Sequence, residues 1–381
     1  MSLQGTTPNP DLTVGPDNKQ RWNRPAHRRH GFHNAHHLFR RALMVRSRDV
    51  LMLEPATTDL TPQIPDLARL IAHPAFSAFC CLRDSRIFAE AAAPDFSTAR
   101  PHSIQSVTKL HMHLIMGHLL DQGHLSLEAP VRAYLPDIGP GYADAPLQSL
   151  LDMAVVNDFS EDYADPYADC FREEIALGWR LPAPGQEETT LQDFATSISG
   201  YRAGPTPNQV LYKSANTDVL TLVAAKVSPT PLIRLIEDIA DVVGYEGAFH
   251  ISLSKEGHPA FSGGGCLSAR DLARFGLFVG RAAQGQTGGK IANAGFTSQS
   301  LNRMAPALAP PKAWLRYSNH LMTDGRLIAH SGYGGQFLMV DPTTGTSCAF
   351  LSVLENASGY DDAYMANVAD VLRQVCHVAM A

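Results

Sequence analysis

This sequence contains no stretch of about 18 uncharged apolar residues, the length that crosses a bilayer as one helix. Its opening residues, MSLQGTTPNPDLTVGP, carry no apolar core of a secretion signal. Cysteine is sparse: six in 381 residues, two of them adjacent (Cys80, Cys81), with neither the spacing of a zinc motif nor a disulfide framework. Repeats and low-complexity tracts are absent. These absences argue against a secreted, membrane-spanning or disulfide-stapled chain, and the expectation is a cytoplasmic protein with reduced thiols. What remains is material for a large core, 45% hydrophobic residues with only 18% charged.

The formal net charge of −6 conceals an asymmetry. Between Asn18 and Arg48 stand nine basic residues and no acidic one, leaving the remainder with 22 basic against 37 acidic residues, a formal −15. The same segment holds His27, His30, His33, His36 and His37. A basic, His-rich arm suits nucleic acid or a metal. However, Phe32, Leu38, Phe39, Leu43 and Val45 interleave with the charges, and a free arm needs no such residues. The expectation is a strap docked on the acidic body, its arginines paired with carboxylates, with no nucleic-acid, membrane or metal partner.

Along the chain, residues 1–20 read as a flexible leader rich in Pro, Gly, Asn and Thr. Phe76–Leu82 and Ile87–Ala89 read as two strands around a tight turn. Leu110, Leu114, Ile115, His118 and Leu119 recur at helical spacing, and Gly123 ends that helix. Roughly Pro136 to Gly244 alternates helical runs with Pro/Gly loops. Ser268 is an N-cap candidate with Asp271 three residues on. Strands return at Arg326–His330, Gln336–Val340 and Ser347–Leu354, followed by a helix from about Asp361 to Val378. Strands at both ends around a helical middle predict an α/β (α+β) protein of two lobes, an antiparallel sheet flanked by helices with a mainly helical lobe inserted. Residues 21–381 then form one domain, with about 21–135 and 245–381 in one lobe and about 136–244 in the other.

Three short elements carry chemistry. Ser106-Val-Thr-Lys109 leads into the strong helix, and an i, i+3 spacing puts the amine within reach of the hydroxyl. A helix start favours an anion, and burial suits a lysine to act as a base. Ser252-x-x-Lys255 matches the same pattern but runs into Glu-Gly-His-Pro, which cannot continue a helix, so we read it as a decoy. Leu211-Tyr212-Lys213-Ser214-Ala215-Asn216 offers a phenol and a hydroxyl in a loop before a helix. His330-Ser331-Gly332-Tyr333-Gly334-Gly335-Gln336 follows a strand with glycines that let a substrate approach the backbone.

In this order the three elements resemble the motifs of the serine β-lactamase and penicillin-recognising superfamily. The tyrosine in the second motif is similar to the class C branch, which includes family esterases and the 6-aminohexanoate-dimer (nylon oligomer) hydrolases. Arg21-Trp-Asn-Arg-Pro25 with Phe32-His-Asn34, the stretch Asp158–Pro166, and Gly263–Gly276 resemble segments of the latter. The resemblance covers roughly residues 20–378. It implies a β-lactamase-like fold and acyl transfer without a cofactor: Ser106 as nucleophile, Lys109 as proton acceptor, Tyr212 as proton relay, and the N–H groups of Ser106 and Tyr333 as oxyanion hole. Tyr163, Glu174, Ser214, His330, Ser331 and Gly332 fall at substrate-contacting positions. The substrate expected is a small amide or ester, with 6-aminohexanoate-type amides and carboxylesters foremost. A homodimer is compatible with the resemblance alone.

Two departures bear on substrate. His330 stands where the penicillin-recognising enzymes carry the lysine of Lys-Thr-Gly, and Ser214 where asparagine usually follows the tyrosine. Both count against the alternative of a D-alanyl carboxypeptidase or β-lactamase. The intact Ser106, Lys109 and Tyr212 count against a non-catalytic binding protein that uses the basic arm. Finally, Asp158 to Glu174 holds seven acidic residues against the single Arg172. Placed over the site, their field is expected to favour an ammonium-bearing substrate; the alternative of equal weight is a solvated acidic loop, or the surface that receives the basic strap.

Overall fold

In the computed structural model, which describes residues 18–163, 165–286, 291 and 293–378, two sheets and their helices enclose one cleft. The leader expected over residues 1–20 lies outside the described residues as far as residue 17. The larger sheet has eight strands in the spatial order Glu54–Pro55, Arg86–Ala92, Phe76–Arg83, Thr346–Ser352, Gln336–Asp341, Ile328–Gly332, Leu321–Thr323 and Arg316–Ser318. Its pairings are antiparallel except at the Glu54–Pro55 edge. Phe76–Arg83, from the first third of the chain, pairs with Thr346–Ser352 from the end, so the sheet closes only when both parts are present.

Every residue of Phe76–Arg83 and Thr346–Ser352 is buried, because helices cover both faces. Ala78, Cys80 and Leu82 share a core with the helix Ala269–Ala283, whereas Phe79, Cys81, Cys348 and Phe350 share another with the helix Asp362–His377. This two-sided burial explains runs of apolar residues without alternation. Ser268 caps the first of these helices, its hydroxyl accepting from the Asp271 N–H at 3.0 Å, as expected from the sequence. Gly276 lets that helix sit close to the sheet: a Cβ there would lie 2.2 Å from the Ser347 hydroxyl. All six cysteines are free and buried.

Between residues 136 and 244 the elements are the helices Leu147–Leu151, Cys170–Ala176, Leu191–Thr196, Ser214–Val227 and Leu232–Val243. The helix expected from Leu110 spans Lys109–Asp121, and Gly123 turns the chain away with φ +72°. It is buried on all sides rather than along one stripe, from Lys109 through Leu119. Its polar residues are therefore enclosed. The His111 ring stacks between Phe249 and Phe275, each at 4.4 Å, and His113 meets the Asn319 carbonyl at 2.7 Å. Among the described residues no single helix is long and apolar enough to cross a membrane.

The basic segment is docked, as a helix Asn18–Trp22, a helix Pro25–Leu38 and a strand Ala42–Val45 in the smaller, four-stranded sheet. Several arginines pair with carboxylates as expected: Arg29 with Asp95, Arg40 and Arg41 with Glu188, and Arg48 with Asp241. Arg28 differs. It is buried and donates to the backbone carbonyls of Leu354 and Asn356, both at 2.7 Å. His33 packs on Phe96 and meets the Ser77 hydroxyl at 2.9 Å, so this histidine serves packing.

Buried histidines make the fold acid-sensitive. Burial holds His33, His102, His111, His113 and His330 at pKa values between about 2 and about 4, and pushes His320 well below 6.5. A histidine depressed in the folded state contributes its stability above the unfolded pKa and loses it as pH falls. Six such groups act in the same direction as pH falls through the unfolded histidine range at about 6.5, and the raised carboxyls Asp152, Glu173 and Asp218 act in the opposite one. We expect cooperative unfolding between about pH 6 and pH 4, checked by circular dichroism across a pH series; a native spectrum maintained at pH 3.5 would contradict it.

Candidate active site

The cleft is a cavity of about 500 Å³ into which Ser106 opens. Ser106 lies not on the α-helix itself but on the 3₁₀ turn Gln105–Thr108 that precedes it. On such a turn positions i and i+3 eclipse, which brings the Lys109 amine to 3.2 Å from the Ser106 hydroxyl. The turn is fixed from both sides: the Thr108 hydroxyl donates to the Gln105 carbonyl at 2.6 Å and accepts from the Gly265 N–H at 3.1 Å. Gln105 is held at φ +47°, a conformation disfavoured for a side chain of its size, immediately before the serine.

Lys109 is completely buried. Its amine also lies 3.1 Å from the Ser214 hydroxyl and against the Ser262 carbonyl, so three separate segments meet on one nitrogen. It sits 5.0 Å from the centroid of the Tyr212 ring. The Tyr212 hydroxyl is buried and makes no hydrogen bond. Burial raises its pKa, while the nearby Lys109 and Ser106 pull it down. Asn216, two residues after Ser214, points elsewhere and accepts from the Tyr142 hydroxyl at 2.8 Å.

On the facing wall Ser331, Gly332 and Tyr333 line the cavity. A Cβ on Gly332 would lie 3.1 Å from the Ser106 nitrogen and 2.7 Å from the Ile104 carbonyl, so only glycine leaves room beside that amide. Tyr333 is held by its hydroxyl donating to the Ser358 carbonyl at 2.8 Å and stacks on Tyr163 at 5.4 Å. Tyr163 and Glu174 reach the same cavity.

His330 corrects an expectation. It is completely buried and absent from the cavity wall, its Nε2 2.9 Å from the Tyr317 hydroxyl and its Nδ1 2.8 Å from the Ser331 carbonyl. Burial, with the charge of Lys109 behind it, lowers its pKa to about 3, so the ring is neutral near pH 7. It stands one layer back, behind Tyr317, whose ring packs edge-on against Tyr212 at 5.9 Å. The decoy behaves as read: Ser252 ends a strand and accepts from the Trp179 indole at 2.6 Å, while Lys255 reaches the Glu188 carbonyl.

Two carboxylates of the acidic stretch are already engaged at the cleft, one of them by the basic strap, as the second of the two readings of this stretch has it. Glu161 accepts from the Ser214 hydroxyl at 2.8 Å and from its N–H at 2.5 Å. Glu174 pairs with Lys19 and, through Arg180 at 3.1 Å, with a second cation. Glu173 is buried beside Asp218, and burial together with that neighbour raises its pKa well above the carboxylate range. Lys19, Glu173, Trp179 and Ser262 thus join the site without a motif to announce them, and Glu161 joins it from the stretch Asp158–Pro166. Among the described residues no group of three or more His, Cys, Asp or Glu side chains is placed to hold a metal.

A family model described as Beta-lactamase matches residues 78–372. A 6-aminohexanoate-dimer hydrolase of Paenarthrobacter ureafaciens is 28% identical over 301 residues, covering 77% of this chain and 74% of that protein. The fold matches a Bacillus anthracis protein assigned as a 6-aminohexanoate-dimer hydrolase, with TM-score 0.80 and 18% identity over 98% of each chain. It also matches a D-stereospecific amidohydrolase from Streptomyces sp., with TM-score 0.59 and 17% identity over 84% of this chain and 100% of that one.

The raised pKa of the buried Glu173 carboxyl has a measurable consequence. A raised carboxyl binds its proton more tightly folded than unfolded, so its contribution to stability falls as pH rises above the unfolded value near 4.5. Glu173→Gln, which cannot ionise, should therefore gain on the wild type between pH 5 and pH 8. Melting curves of both proteins at the two pH values check this, and a Tm difference that does not move toward the variant at pH 8 would refute it.

Proposed function

The chain belongs to the beta-lactamase family, and on that premise we propose that it is a cytoplasmic serine hydrolase of small amides and esters, working through an acyl-enzyme on Ser106. The reading places it in kind with the 6-aminohexanoate-dimer hydrolases and carboxylesterases. The observation that carries this is the buried Lys109 amine, 3.2 Å from the hydroxyl of Ser106, which itself lines a cavity open to a substrate. Free thiols throughout suit a reducing compartment.

Ser106 attacks the substrate carbonyl while its proton passes to Lys109. The oxyanion that forms is held by the N–H groups of Ser106 and Tyr333, a type of contact worth about 2.7–4 kcal/mol per donor. Collapse of that intermediate breaks the C–N or C–O bond, and the leaving amine or alcohol takes the proton from Lys109 through the Tyr212 hydroxyl. Water then adds to the acyl-enzyme, giving up its proton along the same route to Lys109; collapse of this second intermediate breaks the bond from carbonyl carbon to the Ser106 oxygen, which takes that proton back as the carboxylic acid leaves. Ser214 orients the lysine, and Glu161 in turn orients Ser214. A β-lactamase or D-alanyl carboxypeptidase is disfavoured because His330, at the position of a carboxylate-binding cation, is buried and neutral. Ser106 and Tyr212 line the cavity and the buried Lys109 amine reaches the Ser106 hydroxyl from behind it, which speaks for catalysis over mere binding.

Intact-mass spectrometry after treatment with a serine-directed phosphonate tests the assignment. We expect one adduct per chain in the wild type and none in Ser106→Ala. Labelling that persists in the variant, or no labelling of the wild type, would overturn it.

A further inference from the structure

The acidic wall of the cavity has the composition to receive a cation, yet a cation of the protein's own is already there. Lys19 belongs to the N-terminal basic segment and is 4% exposed. Its backbone N–H donates to the Trp179 carbonyl at 2.9 Å, which anchors the residue at the cleft. From there its side chain turns into the cavity shared with Ser106, Tyr163 and Glu174. The ammonium pairs with one oxygen of Glu174 and lies 4.5 Å from the centroid of the Trp179 ring. Arg180 takes the other oxygen of Glu174 at 3.1 Å.

A carboxylate beside an aromatic face is the chemistry that recognises an ammonium. Here the carboxylate is buried, the ring is half-buried, and both are taken. An ammonium-ended substrate seeking Glu174 meets Lys19 and Arg180 first, and like charges in a poorly solvated cleft repel. We propose that Lys19 determines specificity by occupying this cation seat, so that the enzyme selects linear amides and esters whose end toward Glu174 is uncharged and rejects those ending in a free ammonium. This rests on the hydrolase reading for its setting, but concerns recognition alone, and equilibrium binding separates the two.

The test is calorimetric binding of 6-aminohexanoate and of its N-acetyl derivative, which differ in the ammonium but share chain and carboxylate. Wild-type protein should bind the N-acetyl compound at least about tenfold more tightly. Lys19→Met, close to lysine in length but uncharged, should shift that ratio by about 30-fold or more toward the ammonium compound, and adding Glu174→Gln should remove the gain. Lys19→Arg keeps a cation and should keep the wild-type preference, which guards against an effect of misfolding in Lys19→Met. Wild-type preference for 6-aminohexanoate, an unchanged ratio in Lys19→Met, or no binding of either compound to any of the proteins would overturn the proposal. Loss of phosphonate labelling with this binding pattern intact would instead overturn the hydrolase reading.

Discussion

A lysine amine removed from water governs this structure. Lys109 sits in the first turn of a helix enclosed on every side, where an unpartnered amine would cost several kcal/mol. Its partners come from three places: the turn before its own helix, the start of the helix Ser214–Val227, and the loop ending at Ser262. Satisfying one nitrogen therefore requires these segments to converge, and their convergence is the cleft. The chemistry and the folding constraint are the same contact.

The basic N-terminal segment now has a physical role that its composition left open. Arg28 is spent on backbone carbonyls at Leu354 and Asn356, beside the loop that carries Tyr333, and Phe32 packs against Tyr333 itself. Lys19 completes the opposite wall. The segment is thus part of the site rather than an appendage, and the −15 of the remainder is in part the complement of the arginines and lysine it supplies. Glu188 shows the same balance, holding Arg40 and Arg41 together.

What the sequence made legible was local. Ser106 and Lys109 are three residues apart, so helical geometry alone brings them together; the strand pair at Phe76–Ala92 and the Ser268 cap are likewise set by neighbours in the chain. The family-level fold followed from the joint order of three motifs. Long-range partners were not legible. Lys19 and Glu174 are 155 residues apart, and nothing in either segment's composition names the other. The acidic stretch appeared as one field because charge counts carry no information on which carboxylates are already paired. His330 was misplaced for a different reason: adjacent residues on a strand face opposite sides, so Ser331 on the cavity wall turns His330 away from it. That parity is readable once the strand is assigned.

The most direct measurement is the pre-steady-state release of p-nitrophenolate when the enzyme is mixed with p-nitrophenyl hexanoate. If the Lys109 amine is the base for Ser106, wild-type enzyme gives a burst of one equivalent, whereas Lys109→Arg, a side chain of similar reach that cannot accept a proton near neutral pH, folds and loses the burst. A folded Lys109→Arg enzyme with a burst rate like the wild type's would contradict it.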